Sequence, residues 1–315
     1  MYNAATPMRK AFGEALIDLG RKNSNIVVLT ADLSDAIKVG GFRDEFPDRF
    51  YQMGIKESDM MGTAAGMAMD GKIPFATTFA VFATSLANQP VRVSVAYNQA
   101  NVKIATSHGG VCVGGDGATH QAFEDIALMR MLPGMTVLVP ADANAAYRAV
   151  FAAAEHEGPV YLRLGRVPTP VVQDGDFRIG EGRILRKGGD VAIVACGMMV
   201  PMALEAADEL SRQDIDARVI DMYSIKPMDI ELLDSAAKEC GAIVTAEEHS
   251  ILGGLGGAVA EHLTSTFPVP IERVGVTDTF GESGEPAEIL EKYGLTRETI
   301  VDKAKRCLER KISRR

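Results

Sequence analysis

Between Ser107 and Gln121 the chain reads Ser-His-Gly-Gly-Val-Cys-Val-Gly-Gly-Asp-Gly-Ala-Thr-His-Gln, and no other stretch concentrates as much potential chemistry. Two of the chain's five His, His108 and His120, flank a loop with five Gly, and Asp116 lies between them. Glycines remove side-chain bulk and let the backbone approach a ligand. Imidazoles and a carboxylate in such a loop can hydrogen-bond hydroxyls or move protons near neutral pH. A mobile surface loop is the plain alternative, but mobility alone does not call for two His and an Asp after a buried strand. A zinc site fits less well, because no nearby third ligand shows a familiar metal spacing.

Other constellations carry weaker signals. Glu57, in Gly54-Ile55-Lys56-Glu57-Ser58-Asp59, opens an Ala/Gly-rich helix. On spacing alone it is an ordinary first-turn carboxylate that complements the helix dipole. Phe79 and Phe82 stand three residues apart at the end of an apolar run. That spacing suits a core-facing helix, or two rings stacked on a flat ligand at a strand's carboxyl end. Arg9, Arg163 and Arg166 could grip a phosphate in the bidentate way guanidinium allows; surface salt bridges would explain them equally well. Gly253-Gly254-Leu255-Gly256-Gly257 precedes a helix and could hold an anion there. It is neither a P-loop nor a placed dinucleotide fingerprint, and it reads as a tight turn.

These residues need elements to hold them. Short apolar runs predict strands over Asn25–Ala31, Ile73–Thr78, Val102–Ser107, Met135–Val139 and Val160–Leu164. Amphipathic stretches between them predict helices over Pro7–Gly20, Ser58–Asp70, Gln121–Met131 and Ala143–His156. This alternation implies parallel βαβ units with a sheet buried on both faces. Val167–Gly189, rich in Pro, Gly and charge, reads as a linker, after which a second alternation begins. The expected organisation is two consecutive α/β domains: residues 1–170 with a parallel sheet, a linker over 171–189, and a smaller mixed-sheet domain over 190–315. Ligands in such sheets gather at the carboxyl ends of the strands.

Composition narrows the function classes. A net charge of −9, from 33 basic and 42 acidic side chains, argues against broad nucleic-acid binding. It leaves room for an anionic substrate held by a few Arg. The four Cys lie far apart with no CxxC pair and read as reduced thiols in a cytoplasmic protein. No stretch reads as a signal peptide or a membrane span.

Taken together and in this order, Glu57, the Phe pair and the His-loop-Asp-Gly-x-Thr-His stretch resemble the transketolase family over nearly the whole chain. The match is to the family's second and third domains, so the chain resembles the C-terminal subunit of a split transketolase. The resemblance implies thiamine diphosphate as cofactor, with an N-terminal transketolase subunit as partner that holds the diphosphate and a Mg or Ca ion. It implies that Glu57 hydrogen-bonds a ring nitrogen of the aminopyrimidine and favours its imino tautomer. Phe79 and Phe82 would pack around that ring, and Asp32 would lie near the pocket. His108, Asp116 and His120 would line the substrate channel, and Arg9 and Arg166 would bind a sugar phosphate. A family aromatic is Ser85 here and a family Ser is Ala36, which bears on substrate length and phosphate affinity. The implied reaction moves a two-carbon ketol unit between sugar phosphates, as in the pentose phosphate pathway. A homodimer of this chain within a heterotetramer is expected, with Gly62–Ala68 as a close-packing face.

The family's metal motif has an imitation in this chain. Gly115-Asp116-Gly117 with Asn144 copies the Gly-Asp-Gly…Asn by which thiamine enzymes hold the metal. A metal-binding Asp should stand directly at the end of a buried strand, whereas the preceding strand ends near Ser107. Asn144, after Pro140-Ala141-Asp142, reads as the start of a helix. Three rival readings stand beside the split transketolase. The β subunit of a 2-oxoacid dehydrogenase shares size and Glu role but lacks the Asp-Gly-x-Thr-His loop. Deoxyxylulose-phosphate synthase shares the loop but keeps all domains in one chain. A noncatalytic homologue would have little reason to retain Glu57, His108, Asp116 and His120.

Overall fold

The computed structural model describes residues 1–172 and 175–312. Strand β1 (Thr6–Pro7) is followed by β2 (Ile26–Thr30), β3 (Phe50–Gln52), β4 (Ile73–Phe79), β5 (Lys103–Ser107), β6 (Thr136–Leu138) and β7 (Val160–Arg163). Then come β8 (Pro168–Thr169), β9 (Arg183–Arg186), β10 (Val191–Ala195), β11 (Ala217–Asp221), β12 (Ser224–Lys226), β13 (Ile243–Ser250) and β14 (Ile271–Val276). The first large sheet runs β12-β6-β7-β5-β4-β2-β3 and the second β14-β13-β10-β11-β9. Every pairing among β2–β7 is parallel, and β2, β5, β6 and β7 are buried along their whole lengths. Burial on both faces is why these strands read as near-continuous apolar runs rather than as alternation.

The stretch expected to be a linker is more structured than that. β8 pairs antiparallel with β1, and β9 joins the second sheet beside β11. β9 is only four residues long and half-exposed, so its sequence shows no strand periodicity. The two halves also share more than a hinge. β12, from the second half, adds antiparallel to β6 at the edge of the first sheet. One apolar cluster joins Met129, Leu132 and Val137 of the first half to Met222, Leu255 and Val259 of the second.

Two local departures matter for the site. The helix expected from Gln121 begins at Asp125, because residues 121–124 are drawn into contacts with the second half. The segment after Phe79 is not an ordinary α-helix: Phe82–Leu86 and Val91–Tyr97 are π-helical turns, a form that recurs at functional sites. Among the described residues no helix is long and apolar enough to cross a membrane.

Candidate functional site

The singled-out residues collect at the carboxyl ends of β2, β4, β5 and β7, and at the helix that follows β3. Asp32 follows β2 with φ 59, a left-handed backbone uncommon outside Gly and Asn. Gln52, at the end of β3, holds it there. The Gln52 Oε1 accepts from the Asp32 N–H at 2.8 Å, and Nε2 donates to Asp32 Oδ1 at 3.3 Å. The same Oε1 accepts from the Gly54 N–H at 3.2 Å, where φ 72 calls for Gly. That turn delivers Glu57 to the first turn of the helix Glu57–Met69. Its side chain is only 5% exposed, yet among the described residues it has no hydrogen-bond or ion-pair partner. Its carboxyl oxygens are not sealed from solvent, so the acceptor is free for a ligand nitrogen that donates to it.

Around the ends of β4 and β5 four rings meet. Phe79 stacks on His108 with centroids 3.9 Å apart and on Phe82 at 5.8 Å. The His120 ring stands edge-on to Phe82 at 5.2 Å and to Phe79 at 6.2 Å. Phe79 ends β4 and Phe82 opens the π-helical turn that follows it, which leaves the two rings side by side. Each imidazole is oriented by the hydroxyl before it: Ser107 Oγ lies 2.7 Å from His108 Nδ1, and Thr119 Oγ1 lies 2.9 Å from His120 Nδ1. Where Ser107 donates, neutral His108 carries its proton on Nε2 and presents a donor. Ser85 is exposed and takes no part in the ring cluster.

Two guanidiniums approach the same corner. Arg9 Nη1 donates to the Ala36 carbonyl at 3.0 Å, while its Nε is buried without a partner. Burial and then the Arg166 charge pull the Arg9 guanidinium below its ordinary range. Arg166 reaches to Gly114, where an added Cβ would stand 3.1 Å from Nη1. Among the described residues neither Arg has a carboxylate partner, so the pair lacks a counter-ion. An anion with two or more acceptor oxygens satisfies both.

Burial first, then Arg9, Arg166 and His120, push His108 down to about 3. The unfolded chain takes up this proton near the usual 6.5, so between these values it binds more protons than the fold. The stability that His108 contributes at neutral pH is therefore lost as pH falls from 6.5 toward 3. From this group alone the loss at pH 4 is about 3 kcal/mol. Urea unfolding across this range should show the acid slope flattened in His108→Asn; an unchanged slope would show that His108 titrates normally.

Arg163 is not part of the anion site. It is buried and paired with Asp125, Nε to Oδ2 at 2.6 Å, and its Nη2 donates to the Glu248 carbonyl at 2.9 Å. Tyr161 Oη also donates to Asp125 Oδ2, at 2.7 Å. This network ties the floor of the site to the second half. Burial opposes ionisation of Asp125, but Arg163, His249 and the Tyr161 hydrogen bond together outweigh it and hold the carboxyl below the usual range. Asp125→Ala leaves Arg163 buried without its anion, and the expected cost is about 3–5 kcal/mol. A urea midpoint within error of wild type would overturn that role.

The imitation metal motif comes apart in space. Asp116 is exposed in the short turn Gly114–Asp116, whereas Asn144 is buried and exchanges hydrogen bonds with the Tyr2 backbone at 2.8 and 3.2 Å. Among the described residues no three His, Cys, Asp or Glu are grouped to hold a metal ion. The anion at the Gly-rich helix start is the chain's own Glu247, whose carboxylate accepts from the Leu255 and Gly256 N–H groups at 2.7 and 2.8 Å. A Cβ on Gly254 would overlap that carboxylate. Spacing did not point to Gln52, Gln121 or Glu248, since their partners lie far along the chain. Ser107 and Thr119 were legible as Ser-His and Thr-His dipeptides.

Residues 4–170 match the family described as transketolase, pyrimidine binding domain, and residues 180–300 match transketolase, C-terminal domain. The chain belongs to the transketolase family, and within it carries the pyrimidine-binding and C-terminal domains. A 6-deoxy-6-sulfo-D-fructose transketolase subunit of Clostridium sp. (strain MSTE9) is 43% identical over 96% of this chain and 95% of its own length. An apulose-4-phosphate transketolase subunit of Phocaeicola vulgatus is 40% identical, over 96% of this chain and 98% of its own length. A solved structure described as a split-gene transketolase, an inactive β4 tetramer, superposes with TM-score 0.91 at 52% identity, covering 97% of this chain and 99% of that one.

Proposed function

We propose that this chain is the pyrimidine-gripping subunit of a cytoplasmic, thiamine-diphosphate-dependent transketolase, which moves a two-carbon ketol unit from a ketose phosphate to an aldose phosphate. The observation that carries the reading is the Glu57 carboxyl, without a partner among the described residues, at the same carboxyl-terminal end of the parallel sheet as the Phe79–Phe82–His108–His120 cluster. Thiamine diphosphate, when bound, supplies a centre that stabilises a carbanion. Glu57 hydrogen-bonds a pyrimidine nitrogen and sets which tautomer the ring adopts. Phe79 and Phe82 pack against that ring and keep water from it, and Asp32 lies beside the pocket. His108 presents its Nε2 donor, and His120 and Asp116 take the sugar hydroxyls. Arg9 and Arg166 take the terminal anion.

The diphosphate and its Mg or Ca ion fall to a partner, the N-terminal transketolase subunit. Two relatives are named for sugars that carry a sulfonate or a phosphate, and two guanidiniums without a carboxylate partner among the described residues suit either group. A second copy of this chain would pack on the helix Glu57–Met69. Gly62 and Gly66 have nothing within 4 Å of an added Cβ, so close packing inside this chain does not account for them. Met69, Leu86 and Tyr97 are exposed. Two copies with two partners make a heterotetramer. The deciding experiment is reconstitution: ketol transfer should appear on mixing the two chains with cofactor, and turnover by this chain alone would sink the split-enzyme reading.

A further inference from the structure

The substrate loop is fastened from outside its own domain. Gln121, 4% exposed, donates from Nε2 to the Val111 carbonyl at 2.9 Å and to the Glu282 carbonyl at 3.0 Å. It therefore ties the loop to the segment between β14 and the helix Pro286–Lys292. That segment fits closely: a Cβ on Gly281 would overlap the Gln121 amide, and one on Gly117 would overlap Ser283 Oγ. At the other end of the loop, Glu248 Oε1, near the end of β13, accepts from the Cys112 N–H at 2.8 Å. A Cβ on Gly110 would overlap the Glu248 carboxyl.

The chemistry of Gln121 separates fastening from filling. Glycine loses more conformational freedom on ordering than any other residue, and this loop has five. Two carbonyls converge on a single amide NH2, which has two protons to give. Its Oε1 is buried without a partner, a cost that Met or Leu in the same space would avoid. Those two donors are what the residue adds.

We propose that the C-terminal domain is the positioning element for the donor sugar: Glu248, and the segment Phe280–Gly284 acting through Gln121 of the first domain, fix the loop that carries His108, Asp116 and His120. The domain therefore tunes substrate affinity without touching the substrate. The affinity half of this proposal rests on the ketol-transfer reading; the fastening half does not.

Amide hydrogen exchange on the purified full chain tests the fastening. Gln121→Met keeps the volume and removes both donors, so exchange over residues 109–120 should rise about tenfold, the effect of losing one or two hydrogen bonds. The second sheet should stay as protected as before. In the reconstituted enzyme the same variant should raise KM for the donor about tenfold while kcat changes little. Tyr293→Phe is the milder variant, should Gln121→Met fail to fold. Tyr293 Oη donates to the Phe280 carbonyl at 3.1 Å, so its loss loosens the clamp from outside. It should shift loop exchange and KM in the same direction by a few-fold. Unchanged loop exchange in the folded variant overturns the fastening. Faster exchange with an unchanged KM overturns the link to affinity. Absence of transfer by the wild-type complex counts against the functional reading and leaves the exchange result standing.

Discussion

Glu57→Ala is expected to lower ketol transfer by the assembled enzyme about a thousandfold, the scale of lost proton-handling groups, while the variant chain melts within about two degrees of wild type. The two halves of this expectation have separate causes. Glu57 is in the first turn of its helix, where a carboxylate ordinarily adds about 0.3–1 kcal/mol through the dipole. It has no side-chain partner among the described residues, and its oxygens keep contact with solvent, so the dipole is all that the carboxyl adds to the fold. Removing the carboxyl therefore costs the fold at most about 1 kcal/mol even as it disables the site, which marks a residue kept for function. Glu57→Gln sharpens the point. It keeps the shape but changes which protons the group can hold, and it should lose most of the activity as well. Near-normal turnover in either variant would remove Glu57 from its role. A melting temperature several degrees lower with residual activity in proportion would make it a helix cap and nothing more.

How far the sequence reached follows from the range of the interactions involved. Strands such as Ile26–Thr30 and Val160–Arg163 were legible because burial on both faces leaves an apolar run bounded by turns. Asp142, which caps the helix Ala143–Glu155 by accepting from the Ala145 N–H at 2.8 Å, is local and equally legible. Arg163 and Arg166 are three residues apart and alike in sequence. Only long-range packing assigns one to Asp125 and leaves the other without a carboxylate partner among the described residues. β12 could not be placed either, because pairing with β6 is set by the partner strand and not by three residues of its own. The family resemblance grouped Glu57, the Phe pair and the His loop before any coordinates. It did not contain Gln52 or Glu248, whose partners Asp32 and Cys112 stand 20 and 136 positions away.

The other large effect concerns the chain by itself. Purified alone, it should bind thiamine diphosphate no better than about millimolar and transfer no ketol unit. A hydrogen bond to a charged group contributes about 1.5–3 kcal/mol, and burying one aromatic face adds about as much. Association costs about 4 kcal/mol or more, so the pyrimidine contacts of this chain leave little net affinity. The diphosphate would have to supply the rest; the Arg9–Arg166 pair is assigned to the sugar's anion, and among the described residues no group of this chain is placed to hold the diphosphate's metal ion. Its one Gly-Asp-Gly is an exposed turn in the loop assigned to sugar, and its Asn144 is committed to the Tyr2 backbone. Adding the partner chain with Mg should bring cofactor affinity into the micromolar range, a gain of about 4 kcal/mol, since a tenfold change is about 1.4 kcal/mol. Transfer should appear in step with it. Titration calorimetry on the isolated chain and a coupled transfer assay on the mixture read the two quantities separately. Micromolar binding by the isolated chain would mean that the diphosphate is held by residues of this fold, and the division of labour between two chains would fall with it.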